Sequence, residues 1–274
     1  AVSGAIDQRN YKLSNKLVNN DLSDAVIEFA YQGPLLKLKN GKIHFSITGD
    51  VLFKIIRKNS IIEDGICYKN YILEEEDQID IISTKNTIYG YLSVNGGFDL
   101  EKVWNSYSTN TKANIGSNNG KKYSLQDKIF IKNSDLQIIK EMKINYKHAP
   151  DNIIRVIKGT NFDYFSSEAK NIFFKQEFLV TKLADRMGVR LSGHKLENTI
   201  STNIKSEGLV RGVIQVPTDG NPIIMLSDHG TIGGYPKIGV VISADLDRVG
   251  QFTPGSIIKF KEVSLEEAQN IFKA

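Results

Sequence analysis

The chain has 274 residues, enough for one large domain or two modest ones. Its 35 Lys and Arg against 31 Asp and Glu leave a net charge of +4, dispersed along the chain without the basic stripe of a nucleic-acid binder. A hydrophobic content of 41% with 24% charged residues excludes a disordered chain, and the single Cys67 excludes an internal disulfide and a thiolate zinc cluster.

No apolar run approaches the length that spans a bilayer, and Ala1-Val2-Ser3-Gly4 carries no signal-peptide pattern, so a soluble cytoplasmic protein is expected. Residues 7–19 have helical spacing, with Ile6, Leu13 and Leu17 along one face and Asp7 placed to cap the first turn. The period then changes. Short β-branched and aromatic runs at 26–31, 35–38, 43–48, 51–56, 79–82 and 87–94 predict strands, punctuated by Gly33-Pro34, Asn40-Gly41 and Gly49-Asp50. Asn40-Gly41 is a hairpin signal, because both central positions of a type I′ turn need positive φ. This spacing of strands points to an antiparallel barrel or sandwich. A polar Gly/Asn/Ser-rich stretch at 105–124 is too long for a plain connector and reads as a functional loop.

A polar segment at 140–151, ending near Pro150, marks a domain boundary, giving domains 1–148 and 149–274. Beyond it come a strand at 153–157 and a helix opened by Ser166 or Ser167 and running to about residue 174. Further strands are expected at 178–181, 209–216, 223–226, 238–243 and 257–263. A last helix begins with the capping box Ser264-x-x-Glu267 and should bury Leu265, Ala268 and Phe272. The fold class is mainly β, in two β-rich halves with a few helices.

Chemically suggestive residues are few. Met142-Lys143-Ile144 resembles a biotin-attachment triplet but sits in the linker without the small domain that biotinylation requires, so Lys143 should not carry biotin. Gly230-x-x-Gly233-Gly234 lacks the spacing of a nucleotide fingerprint and reads as a tight turn in which glycines permit positive φ. His44, His148, His194 and His229 are scattered, and none pairs with another at metal-ligand spacing. His44 reads as a packed or half-exposed strand residue. His229, opening the glycine turn, is a candidate base that Asp228 orients only if the chain bends there. Hydroxyls at Ser106, Ser108 and Thr109 in the polar loop are candidate nucleophiles or carboxylate ligands, although most loop hydroxyls only cap or solvate.

The run Gln215-Val-Pro-Thr-Asp-Gly-Asn-Pro-Ile-Ile-Met-Leu-Ser-Asp228-His-Gly-Thr-Ile-Gly-Gly-Tyr235-Pro-Lys-Ile resembles the signature of the second-subunit family of allophanate hydrolase. That family includes the C subunit of 5-oxoprolinase and part of the carboxyltransferase region of urea carboxylase. Further matches follow in family order: Val2-Ser-Gly-Ala-Ile-Asp7, Asn95-Gly-Gly-Phe-Asp, Ser106-Tyr-Ser-Thr109, Ala184-Asp-Arg186-Met-Gly188 with Arg190-Leu191, and Ser243-Ala-Asp-Leu. Where members commonly have Gln-Thr-Thr before Gly-Gly-Tyr-Pro, this chain has Gly230-Thr231-Ile232, so one amide and one hydroxyl are absent from the turn.

The resemblance implies two cyclophilin-like β-barrel domains. It also implies an active site shared with the B subunit of 5-oxoprolinase, of the allophanate hydrolase subunit 1 family, and a separate A subunit is needed for the full activity. The implied reaction is ATP-dependent opening of 5-oxoproline to glutamate, with ATP used by the complex and no cofactor assigned to this chain itself. Two alternatives stay open: a carboxyltransferase acting on urea or a similar amide with carboxybiotin, and a non-catalytic regulatory partner. By the same resemblance the catalytic set is Arg186, Asp228, His229 and Lys237, and the substrate contacts are Ser108, Thr109, Gln215 and Tyr235. Arg186 would clamp a carboxylate or carbamate with its planar fork, unless it and Asp228 are instead a structural ion pair. Family members also carry a Thr-x-Gln-Asp-x-Gly-Arg segment ahead of the position of Val2, which implies an upstream segment in the native gene.

Overall fold

The computed structural model describes residues 3–132, 140–146, 151–199 and 203–273. The chain divides into two compact units, Asp7–His148, and Ala149–Ala274 together with Ala1–Ile6. Residues 3–6, expected in the first domain, therefore group with the second. Pro150 and His148 lie outside the described residues. Among the described residues no helix is long and apolar enough to cross a membrane.

The N-terminal unit comprises α1 (Gln8–Leu17), β1 (Ile27–Ala30), β2 (Leu35–Lys37), β3 (Lys42–Thr48), β4 (Val51–Ile56), β5 (Ile62–Asp64), β6 (Asn70–Glu74), β7 (Gln78–Thr84) and β8 (Tyr89–Val94). These make two four-stranded antiparallel sheets, ordered β1-β8-β3-β6 and β2-β7-β4-β5. This is the sandwich alternative for this half, in place of a closed barrel. Alternation along β4 turns Val51, Phe53 and Ile55 inward, where they meet Phe45 and Ile47 of β3, Leu73 of β6, Ile79 and Ile81 of β7, and Leu92 and Val94 of β8. Phe45 stacks on Tyr71 at 5.6 Å between ring centroids. Asn40-Gly41 does not close a hairpin. β2 pairs with β7 and β3 with β6 and β8, and only Gly41 of the two has positive φ, at 83°.

Helix α1 starts where the sequence places it, because the Asp7 carboxylate accepts from Asn10 N at 2.9 Å and Asn10 Nδ2 at 2.6 Å. Its buried face, however, is largely polar. Leu17 is buried but Leu13 is only half-buried, and Asn10, Ser14 and Asn15 carry the contact with β3 and β8. Ser46 Oγ donates to Ser14 O and Thr48 Oγ1 to Asn10 O, each at 2.7 Å, while Ser14 and Ser93 hydroxyls meet at 2.7 Å. This is why β3 and β8 are buried on both faces, with the apolar side in the sandwich and the hydroxyl side under the helix. His44, on that strand, is buried, and desolvation with a contribution from Lys42 lowers its pKa.

The C-terminal unit comprises β9 (Ile153–Lys158), α2 (Ser167–Lys175), β10 (Phe178–Val180), β11 (Gly188–Gly193), β12 (Glu207–Gly208), β13 (Val213–Gln215), β14 (Ile223–Met225), β15 (Ile232–Gly233), β16 (Lys237–Val241), α3 (Leu246–Gln251), β17 (Ile257–Glu262) and α4 (Leu265–Lys273). Seven of its strands close a barrel in the order β10-β11-β14-β13-β16-β9-β17, with β9 and β17 parallel at the seam. Ser166 caps α2 by accepting from Ala169 N. Phe173 of α2 stacks on Phe260 at 4.5 Å, plugging the barrel together with Phe178. At the seam, buried Asp245 accepts from Arg155 N at 2.8 Å and Arg155 Nε at 3.0 Å. The capping box of α4 forms as read, with Ser264 N donating to Glu267 and Glu267 N to Ser264 Oγ. Its apolar face does not bury. Leu265 and Phe272 are exposed, and the main contact of the helix is with the turn at residues 243–245.

Lys143 lies flat, not at the tip of a hairpin. Its neighbours bond to the chain around β6, with Asn70 N donating to Met142 O at 3.1 Å and Ile144 N to Tyr68 O at 2.8 Å. Streptavidin blotting of protein from the native host should therefore show no band at the chain's mass. Asp7→Ala should lower unfolding free energy by about 1–2 kcal/mol in a denaturant titration, because it removes a buried cap as well as the Asn10 amide's acceptor.

Candidate functional site

The C-terminal unit holds six of the eight anticipated residues, in separate groups. Construction of the first begins at Gly159, just past β9, where an added Cβ would sit 2.3 Å from Lys237 O, closer than any real side chain tolerates. That approach lets Gly159 N donate to Ile238 O at 3.0 Å and Asn161 N to Lys237 O at 3.2 Å. Lys237 N returns a bond to Asn161 Oδ1 at 3.1 Å. Asn161 is thereby fixed beside the start of β16 and buried.

Lys237 is buried, and its ammonium donates to Glu207 Oε2 at 2.5 Å. The Lys237 ammonium holds the Glu207 carboxyl below its usual range. Across the ladder Gln215 registers with Lys237, at a bulge between Ile214 and Gln215. Its carboxamide donates to Tyr235 O at 3.2 Å, while the Tyr235 ring stays exposed. Gly233 is glycine for a steric reason. A Cβ there would lie 2.5 Å from Gln215 Nε2, and none of Gly230, Gly233 and Gly234 has the positive φ expected of a tight turn. Gly233 instead pairs with Glu207 in the two-stranded β12–β15 ribbon, which carries Glu207 to Lys237. Glu207 and Asn161 were not among the anticipated residues.

Arg186 and Asp228 form a second constellation. Arg186 Nε and Nη2 reach the two Asp228 oxygens at 2.8 and 3.0 Å, the bidentate geometry of a fork on a carboxylate. Asp228 also accepts from Ser3 Oγ at 2.7 Å, and Arg186 Nη2 donates to Gly4 O at 2.7 Å. With Ser3 N on Ser227 O and Arg211 on Ile6 O, these bonds bind residues 3–6 into the barrel. This is why they leave the N-terminal unit. The fork expected to clamp a substrate carboxylate is filled by the chain's own Asp228.

The chain turns at Ser227 and Asp228, with His229 N donating to Leu226 O at 3.2 Å, so Asp228 and His229 part company. The buried His229 ring places Nδ1 2.5 Å from Gly230 O. A carbonyl only accepts, so Nδ1 is the donor in this contact. Ser108 and Thr109 belong to the N-terminal unit. Their loop is ordered by internal bonds, including Thr109 Oγ1 to Ser117 O at 3.4 Å and Asn110 N to Ile115 O at 2.8 Å.

Residues 1–262 match the model of the carboxyltransferase domain, subdomains A and B. The chain belongs to this family. It is 31% identical to the C subunit of 5-oxoprolinase from Haemophilus influenzae over 98% of this chain and 84% of that protein. It is 28% identical to the C subunit of 5-oxoprolinase from Escherichia coli over 97% of this chain and 84% of that protein. Its fold matches the crystal structure of the K. lactis urea amidolyase with a TM-score of 0.88 at 24% identity, covering 99% of this chain and 17% of that one.

Within this family member, Arg186→Ala leaves the buried Asp228 carboxylate without its cation. The substitution should destabilise the C-terminal unit by about 3 kcal/mol, read as a lower melting temperature. A melting curve unchanged from wild type would show that the pair contributes nothing to the fold.

Proposed function

We propose that this chain is the C subunit of an ATP-dependent 5-oxoprolinase complex that opens the lactam of 5-oxoproline to glutamate. The observation that carries the reading is the 31% identity to a C subunit of 5-oxoprolinase, sustained over nearly the whole of this chain. The active site is shared with the B subunit, with the A subunit required for the full activity. The two domains are cyclophilin-like in this reading, and ATP is a co-substrate of the complex.

The chemistry asks for a way to hold an anionic substrate, polarise an amide and move a proton. Lys237 supplies a cation in a desolvated place, where its effect on developing negative charge is larger than in water. Gln215 and Tyr235 flank it as hydrogen-bonding groups, and His229 offers Nε2 as a proton acceptor. Arg186 and Asp228 support this surface by fixing the turn that leads to His229. Ser108 and Thr109 are substrate contacts offered by the loop of the N-terminal unit.

A second reading, a carboxyltransferase working with carboxybiotin on urea or a similar amide, is favoured by the family's description as a carboxyltransferase domain. The two separate in one assay. Glutamate release from 5-oxoproline with ATP should need this chain together with the A and B subunits, and this chain alone should be silent. Robust turnover by the isolated chain would overturn the shared site, and an inactive full complex would overturn the substrate.

A further inference from the structure

Lys237 and Glu207 are unequal partners. The lysine side chain is 5% exposed, whereas that of Glu207 is 45% exposed, so the pair is a buried cation capped from the solvent side by an acid. A buried ammonium without an anion is strongly disfavoured, so this position always selects for negative charge. The acid that fills it stands on β12, a strand of two residues laddered to β15, also of two residues. Such a ribbon has little burial or hydrogen bonding to hold it and belongs to the easily opened part of a fold. Around Gly208 there is open space, with no atom within 4 Å of where a Cβ would stand. The Lys237 backbone is held on both sides, by the buried Asn161, whose Oδ1 accepts from Lys237 N, and by Gln215 across the ladder.

We propose that Lys237 is a binding point for a small carboxylate, and that Glu207 is an internal stand-in which the incoming carboxylate displaces. The ammonium, which now holds the Glu207 carboxylate, is the donor the ligand's carboxylate takes over. Departure of the half-exposed Glu207 side chain opens Nζ to solvent, so the ligand enters along the path that Glu207 vacates. Naming 5-oxoproline as the physiological carboxylate rests on the function proposed above; the exchange itself does not.

The test is calorimetric titration of the full chain with acetate and, separately, with 5-oxoproline, at pH 7 and constant ionic strength. Wild type, Glu207→Gln, Glu207→Ala and Lys237→Met are compared, with melting curves establishing that each is folded. Removing the internal competitor should tighten acetate binding at least tenfold in both Glu207 variants, and Lys237→Met should abolish it. Unchanged or weaker acetate binding in the two Glu207 variants overturns the proposal, since a purely structural Glu207 gives that result. Tighter acetate binding without any 5-oxoproline binding leaves the exchange standing and removes the assigned substrate.

Discussion

A charged lysine inside a barrel wall obliges its surroundings to supply an anion and hydrogen-bond acceptors, and several elements of the C-terminal unit meet at Lys237. β16 can approach the end of β9 only because position 159 lacks a side chain. That approach seats Asn161 against the backbone of Lys237, and the bulge at Gln215 brings a carboxamide into register from the other side. The same strand, β16, lies between β13 and β9 in the closed barrel, so the lysine stem leaves a backbone that the sheet holds on both edges. The closure of the barrel and the placement of the cation are therefore one structural fact. The parallel pairing of β9 with β17, beside which Asp245 accepts from Arg155 N, completes the closure on the other edge of β9.

The N-terminal unit solves a different problem. Its helix lies on a sheet through serines, threonine and asparagines, where an apolar stripe is the usual device. Hydroxyls of β3 donate to the helix carbonyls of Asn10 and Ser14. Tyr68 adds a further bond to Asn10 Oδ1 at 2.7 Å. Apolar contacts tolerate sliding, whereas each of these bonds exists at one position only, so the helix is fixed in register along the sheet.

Much of the fold is legible in the sequence. β3, β4 and β8 are dense in β-branched and aromatic residues, and Asp7, Ser166 and Ser264 mark helix starts that form as read. What is not legible depends on long-range pairing. β5, β6 and β11 mix charged, polar or glycine residues among their apolar ones and become strands only because a partner strand is waiting. Asn40-Gly41 has the local chemistry of a hairpin, but its flanking strands join different sheets. The apolar residues of α4 have helical spacing, yet spacing says nothing about what lies opposite. The candidate site divides in the same way. Family resemblance picks out Gln215, Asp228, His229, Tyr235 and Lys237, which are close in sequence. Glu207 and Asn161 reach Lys237 through a glycine-permitted approach and a two-stranded ribbon, neither of which leaves a local pattern.

The two cation–carboxylate pairs of the barrel unit have the same chemistry and opposite burial, and that difference assigns them different work. In the first, the acid is the buried partner: Asp228 is 7% exposed and Arg186 26%. Asp228 receives a second donor from Ser3, and Arg186 spends a further N–H on Gly4 O, so an outside carboxylate would have to break several bonds and would strand a buried acid. That pair is a fastening. In the second pair the base is the buried partner, and the acid is reachable from solvent on a strand of two residues. Exchange there replaces one carboxylate by another on the same ammonium and returns Glu207 to water, so the buried charge is neutralised both before and after it. Of the two cations, Arg186 has the fork suited to a carboxylate, but Lys237 has the partner that can leave.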